Sequence, residues 1–160
     1  MNFSKIVKSI GLVSLGFSAG VGTVIKMKGN VTKQKEEKVD KFKKYYETLL
    51  QWVQIKQDGK NLEQYFINNG YSTIAIYGMG EMGTRLYNEL KDTSITVKYA
   101  IDKNAEGTYS ELNVVTTEDE LESVDAVIVS AIFAFDDIEE ELSKMIDCPI
   151  ISLQDVVFEI

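Results

Sequence analysis

Residues 71–102 read YSTIAIYGMGEMGTRLYNELKDTSITVKYAID. Thr73-Ile74-Ala75-Ile76-Tyr77 is an apolar, β-rich run, and Gly78-Met79-Gly80-Glu81-Met82-Gly83 follows it at once. A helical pattern then sets Met82, Leu86 and Leu90 on one face. Ile95 to Ile101 supplies a second strand, which Asp102 closes. The order is strand, glycine turn, helix, strand. Gly78 allows a tight turn out of the first strand. Gly80 carries no side chain, so a ligand can come close to the backbone, and Gly83 lets the helix pack close against the strand. The helix start then presents free amides and partial positive charge to an anion.

These features together form the dinucleotide-binding fingerprint in its required context. Asp102 lies 19 residues after Gly83, at the end of the second strand, where a carboxylate accepts hydrogen bonds from ribose hydroxyls. It repels a 2′-phosphate, which favours NAD over NADP, while Lys103 beside it pulls the other way. A nucleotide sugar is the alternative ligand. The residues expected to contact it are Gly78, Met79, Gly80, Glu81, Met82, Gly83 and Asp102, with Ser130 and Ala131 from the end of the fourth strand. Glu81 is a complication, because a carboxylate in the first turn competes with phosphate for the helix dipole. The competing reading is that the glycines serve only a tight βαβ turn.

Net charge is −8 and unevenly placed. Residues 1–60 hold twelve lysines and five acids; residues 61–160 hold five basic and twenty acidic side chains. The acidic part argues against nucleic-acid binding, and the basic part suits an anionic membrane surface. Histidine is absent, which removes imidazole catalysis and histidine metal ligands. Cys148 is the single cysteine, so there is no internal disulfide, no Cys-based zinc site and no imidazole to activate a thiol. It reads as a small hydrophobe, and no metal site is expected.

Ile10 to Ile25, IGLVSLGFSAGVGTVI, carries no charge and is bracketed by Lys5, Lys8, Lys26 and Lys28. Sixteen residues fall short of the roughly 20 that span a bilayer, but flanking lysines extend the reach. Residues 1–30 are therefore read as a membrane anchor, with residues 6–28 meeting the lipid. The lysine excess that follows holds the remainder on the cytoplasmic face. A signal peptide and a soluble cytoplasmic chain are the rivals. Residues 31–57 form a helical linker without Gly or Pro. Val39, Phe42, Tyr46, Leu49 and Val53 step by 3, 4, 3, 4, a short coiled-coil seam. The other reading of this helix docks Leu49, Leu50, Trp52 and Val53 on the domain that follows.

Residues 58–160 make up that domain. Asp58-Gly59 ends the linker; Asn61 and Gln64 are expected to cap a short helix as a capping box, with Gly70 at its C-terminal end. After Asp102 come a short strand at Asn113–Val115, a helical turn over Glu118–Leu121 capped by Thr117, and a buried strand at Val124–Ser130. A helix over Phe135–Ile146, a strand over Pro149–Ser152 and a final turn at Gln154–Glu159 complete the pattern. Alternating strands and helices predict an α/β fold, a Rossmann-like parallel five-stranded sheet of order 3-2-1-4-5, preceded by the long helix and the apolar segment. The ligand crevice lies where the order reverses, between the first and fourth strands.

Gly59 to Ile160 resembles a bacterial Rossmann-like family found in surface-polysaccharide gene clusters, as small proteins or fused to glycosyltransferases and methyltransferases. The resemblance rests on GKNLEQYFINNGY, IAIYGMGEMG, YAIDKN, VDAVIVSAIF and CPIISLQDVV. It is similar also to the N-terminal domains of sugar O-acyltransferases. The resemblance implies a role in nucleotide-sugar or cell-envelope glycan metabolism, with Gly78, Gly80, Gly83 and Asp102 at the NAD-type positions. Two readings follow, beside a third in which the chain is a purely structural interaction protein using residues 31–57. One is a membrane-tethered accessory or sensor domain that binds NAD or a nucleotide sugar. The other is a nucleotide-sugar-modifying enzyme whose site is completed by a second copy or a glycan-biosynthesis enzyme, with Tyr77, Glu81, Ser130 and the acids near Asp136 as its chemistry. Tyr87/Lys91 and Tyr99/Lys103 have the spacing of an epimerase pair but fall on the wrong elements.

Overall fold

The computed structural model describes residues 35–108 and 110–160. The apolar stretch Ile10–Ile25, and with it the expected anchor, lies outside the described residues. Among the described residues no helix is long and apolar enough to cross a membrane. The chain divides into two compact units between Lys43 and Lys44. In the first, residues 35–43 are helical and largely exposed. The second, Lys44–Ile160, contains the sheet.

Helix α1 covers residues 35–57. It is followed by α2 (Glu63–Asn69), β1 (Thr73–Tyr77), α3 (Glu81–Leu90), β2 (Thr96–Ile101), β3 (Val114–Val115), β4 (Ala126–Val129), α4 (Phe135–Leu142), β5 (Ile150–Ser152) and α5 (Leu153–Phe158). The five strands pair in parallel in the order β3-β2-β1-β4-β5, the expected arrangement. β1 and β4 are buried along nearly their whole length, as parallel strands covered on both faces must be. On one face Ile74, Ile76 and Ile128 pack with Met82, Leu86 and Leu90 of α3 and with residues of α1, α2 and α5. On the other, Ala75, Tyr77, Val127 and Val129 pack with Ile138 and Leu142 of α4.

The second half of α1 docks through Trp52 and Ile55, not through Leu49, Leu50 and Val53, which are exposed. The expected seam is on the solvent side: Phe42 is 72% and Tyr46 66% exposed. Thr48, Trp52 and Ile55 recur at helical spacing on a different face, and that face carries the packing. Glu89 of α3 fixes the attachment. Its carboxylate accepts from the Trp52 indole at 2.6 Å and from the Leu62 amide at 2.8 Å, and Lys56 lies 3.1 Å away. This replaces the capping box read at Asn61 and Gln64. Leu62 is the N-cap of α2 and makes no side-chain cap; its amide goes to Glu89 instead.

Gly59 and Gly70 take positive φ (73° and 75°) and end α1 and α2 where expected. The helical turn expected after Thr117 does not form. Asp119 accepts from the Thr116 amide and hydroxyl, at 2.7 and 2.8 Å, which closes a single turn from which no helix continues. At the amino end of the sheet, Asp125 Oδ2 accepts from the amides and hydroxyls of Ser72 and Thr73. These bonds hold the Asp125 carboxyl well below the usual carboxylate range.

Candidate functional site

The register of the sheet assembles the site. Tyr77 pairs with Ile101 in β2 and with Val129 in β4. Gly78, Asp102 and Ser130 therefore leave the carboxyl edge side by side, at the point where the strand order reverses. The Gly78 amide donates to Ile101 O at 2.7 Å, and the Ser130 amide to Tyr77 O at 2.9 Å, which extends the ladder by one residue on each side.

The three glycines do different things. Gly78 has φ 89°, a conformation that side chains rarely adopt, and a Cβ there would lie 3.0 Å from Ser130 Oγ. Gly83 is buried, and a Cβ on it would sit 2.0 Å from the carbonyl oxygen of Gly78. That is the close helix–strand approach expected of the third glycine. Gly80 has φ −71°, open to any residue, and nothing lies within 4 Å of a Cβ built on it. Its contribution is the open space above the start of α3. No side chain caps that start. The Thr84 amide makes the first helical bond, to Gly80 O at 3.0 Å, so the amides of Glu81, Met82 and Gly83 have no acceptor within the helix.

Asp102 sits against this loop. Its Oδ2 accepts from the Met79 amide at 2.9 Å and its Oδ1 from the Asn104 amide at 2.9 Å. A carboxylate offers about four acceptor positions, so both oxygens keep capacity for a diol. The neighbouring lysine turns elsewhere: Lys103 Nζ lies 3.7 Å from Glu141 Oε2. Glu81 is exposed and turns to Arg85 at 3.0 Å, one turn along α3, so its carboxylate is drawn along the helix surface. Met79 and Met82 are buried in the core, so their side chains serve packing; the Met79 amide goes to Asp102, and the Met82 amide is among those without an acceptor in the helix. Ser130 is buried and donates its hydroxyl proton to Gly78 O at 2.6 Å. It braces the glycine turn from β4. Ala131 is half-buried on the α4 side of the sheet.

Comparison with protein families is decisive at one point. The model described as C2185-like, N-terminal, matches residues 70–150, half of the chain, from the turn before β1 to the start of β5. The chain belongs to this family. Comparison with curated proteins and with solved structures finds no match. The C2185-like match contains the whole glycine loop, Asp102 and Ser130, so every candidate contact lies inside the family's own segment.

The two Tyr/Lys pairs of the C2185-like domain are engaged elsewhere. The Tyr99 hydroxyl donates to Glu122 O at 2.7 Å, and the Tyr87 hydroxyl contacts Glu111 Oε2 at 3.3 Å. Burial pushes the Cys148 thiol up, which keeps it protonated. Asp136, Asp137, Glu139 and Glu140 are exposed along α4. Two surface hollows lie away from the crevice, one of about 520 Å³ beside Lys60, Gln64 and Tyr65 and one of about 380 Å³ beside Tyr99 and Cys148. Both are remote from the glycine loop; the uncapped helix start and the adjoining acid outweigh their size. Sequence reasoning missed the Tyr77 hydroxyl as a buried group without a partner among the described residues. A tyrosine in an apolar strand gives no signal of how its hydroxyl is paired.

Proposed function

We propose that this C2185-like domain binds the phosphate and ribose of a nucleotide, NAD or a nucleotide sugar, over the Gly78–Gly83 loop. The observation that carries the reading is the Met79 amide donating to Asp102. It joins an acid with spare acceptor capacity to an uncapped helix start with open space above Gly80. A diphosphate over the free amides of α3 gains from the helix dipole. A ribose diol beside it donates to Asp102, and a 2′-phosphate there is repelled, so NAD is the favoured dinucleotide. The chain then acts as an accessory or sensor domain in cell-envelope glycan metabolism. Residues 6–28 tether it to the cytoplasmic face of the membrane, and a second copy or a glycan-biosynthesis enzyme is its protein partner. The resemblance across residues 59–160 and the lysine-flanked apolar segment support these assignments.

The test is the thermal midpoint of the full chain with NAD, NADP, UDP-glucose, coenzyme A and S-adenosylmethionine. Ligand at 100 times its Kd stabilises by about 2.7 kcal/mol, a shift of several degrees. A shift with NAD or UDP-glucose and none with NADP is expected. No shift with any of the five assigns the glycine loop to chain geometry alone.

A further inference from the structure

Tyr77 is the last residue of β1, immediately before the glycine loop, and is 4% exposed. Its ring packs on the α4 face of the sheet with Val129, Ile138 and Leu142. Its hydroxyl is buried and, among the described residues, is the one buried side-chain polar atom with no hydrogen-bond partner. Native folds keep few such groups, because a buried donor without an acceptor is destabilising. Burial raises the pKa of the phenol, and the nearby carboxylates of Glu141 and Asp102 raise it further, so it is a neutral donor. Neither carboxylate bonds to it. Asp102 is held by the Met79 and Asn104 amides, and Glu141 by the Thr117 hydroxyl at 3.3 Å and Lys103 at 3.7 Å. The Glu141 and Lys103 side chains are themselves 40% and 73% exposed, so this pair lies at the surface.

We propose that Tyr77 is a ligand-reading residue: its hydroxyl donates to the ribose hydroxyl whose own proton goes to Asp102. A hydroxyl group suits this position because it gives and accepts at once. A 2′-phosphate suits it badly, since it brings negative charge to a place already faced by two carboxylates. This inference rests on the nucleotide reading above and names the group that selects within it.

The experiment titrates NAD and UDP-glucose into the full chain and its Tyr77→Phe variant by calorimetry, and records each thermal midpoint without ligand. The expected result is binding to the wild type, an affinity about ten-fold lower in the variant, and an unliganded midpoint that is unchanged or higher. The 2′-deoxy or 3′-deoxy form of the bound nucleotide, whichever binds the wild type more weakly, binds the two proteins alike, because the partner hydroxyl is gone from both sides. Equal affinities for the parent nucleotide overturn the inference and leave the nucleotide reading standing. A midpoint several degrees lower in the variant also overturns it, by assigning the hydroxyl to the fold. Absence of binding in the wild type removes the nucleotide reading itself, and the inference with it.

Discussion

Replacing Gly83 by alanine tests the helix–strand approach on which the site depends. The new Cβ would stand 2.0 Å from Gly78 O, a backbone atom that cannot rotate away. Either α3 moves outward, opening the packing of Met82 and Leu86, or the Gly78 turn moves and loses its bond to Ile101. Overpacking of this kind costs about 1–3 kcal/mol in an ordinary core, and a backbone clash belongs at or beyond the upper end. Alanine's higher helix propensity returns about 1 kcal/mol. The net expectation is a loss of about 2–3 kcal/mol, or roughly 10 °C in midpoint for a unit of this size. Gly80→Ala is the control: it has φ −71° and open space, so it should change stability by less than about 0.5 kcal/mol. Urea unfolding followed by the fluorescence of Trp52, the single tryptophan, measures both. Equal stabilities for the two variants would refute the close approach and with it the geometry of the loop.

Three other expectations follow from the same packing. Glu89→Ala leaves the Trp52 indole and the Leu62 amide without their acceptor, and should cost about 3 kcal/mol by urea titration; a change below 0.5 kcal/mol would show that the attachment does not depend on it. Trp52→Ala should cost about 3–5 kcal/mol, while Leu50→Ser and Val53→Ser, on the exposed side of the same helix, should each stay within about 0.5 kcal/mol. Asp125 has a folded carboxyl held below its ordinary value of 3.8, so its contribution is full above about pH 5 and is lost as pH falls through 3.8 towards the folded value. Stability measured against pH should flatten over that acid range in Asp125→Asn, and an unchanged slope would exclude the clamp.

The β1–α3–β2 unit and the sheet order were legible because each strand is a continuous apolar run and each turn carries its own glycine or acid. Parallel strands buried on both faces have few ways to be read otherwise. The face on which α1 packs was not legible. Two stripes of equally helical spacing share residues 44–57, Tyr46, Leu49 and Val53 on one and Thr48, Trp52 and Ile55 on the other, and the second buries. What decides between them is a large aromatic with a buried acceptor, and that acceptor, Glu89, reads in the sequence as an ordinary surface acid of an amphipathic helix. After β3 the chain closes a single turn, in which Thr116 and Asp119 bond each other, and no helix continues from it. Within the site, Gly78, Gly83 and Asp102 sit as their spacing required. Ser130 stands at the expected place with its hydroxyl turned inward, because the Gly78 carbonyl needs a donor. Such pairing depends on which strand ends lie level, which only the register supplies.

The central claim is that the space above Gly80 receives a nucleotide. The most direct measurement is the titration of NAD and UDP-glucose into the full chain and into Gly80→Arg, with the unliganded midpoint of each recorded alongside. The account predicts saturable binding of one of them to the wild type, none to the variant, and midpoints that agree within a few degrees. Undiminished binding to Gly80→Arg, in a variant that remains folded, would contradict it.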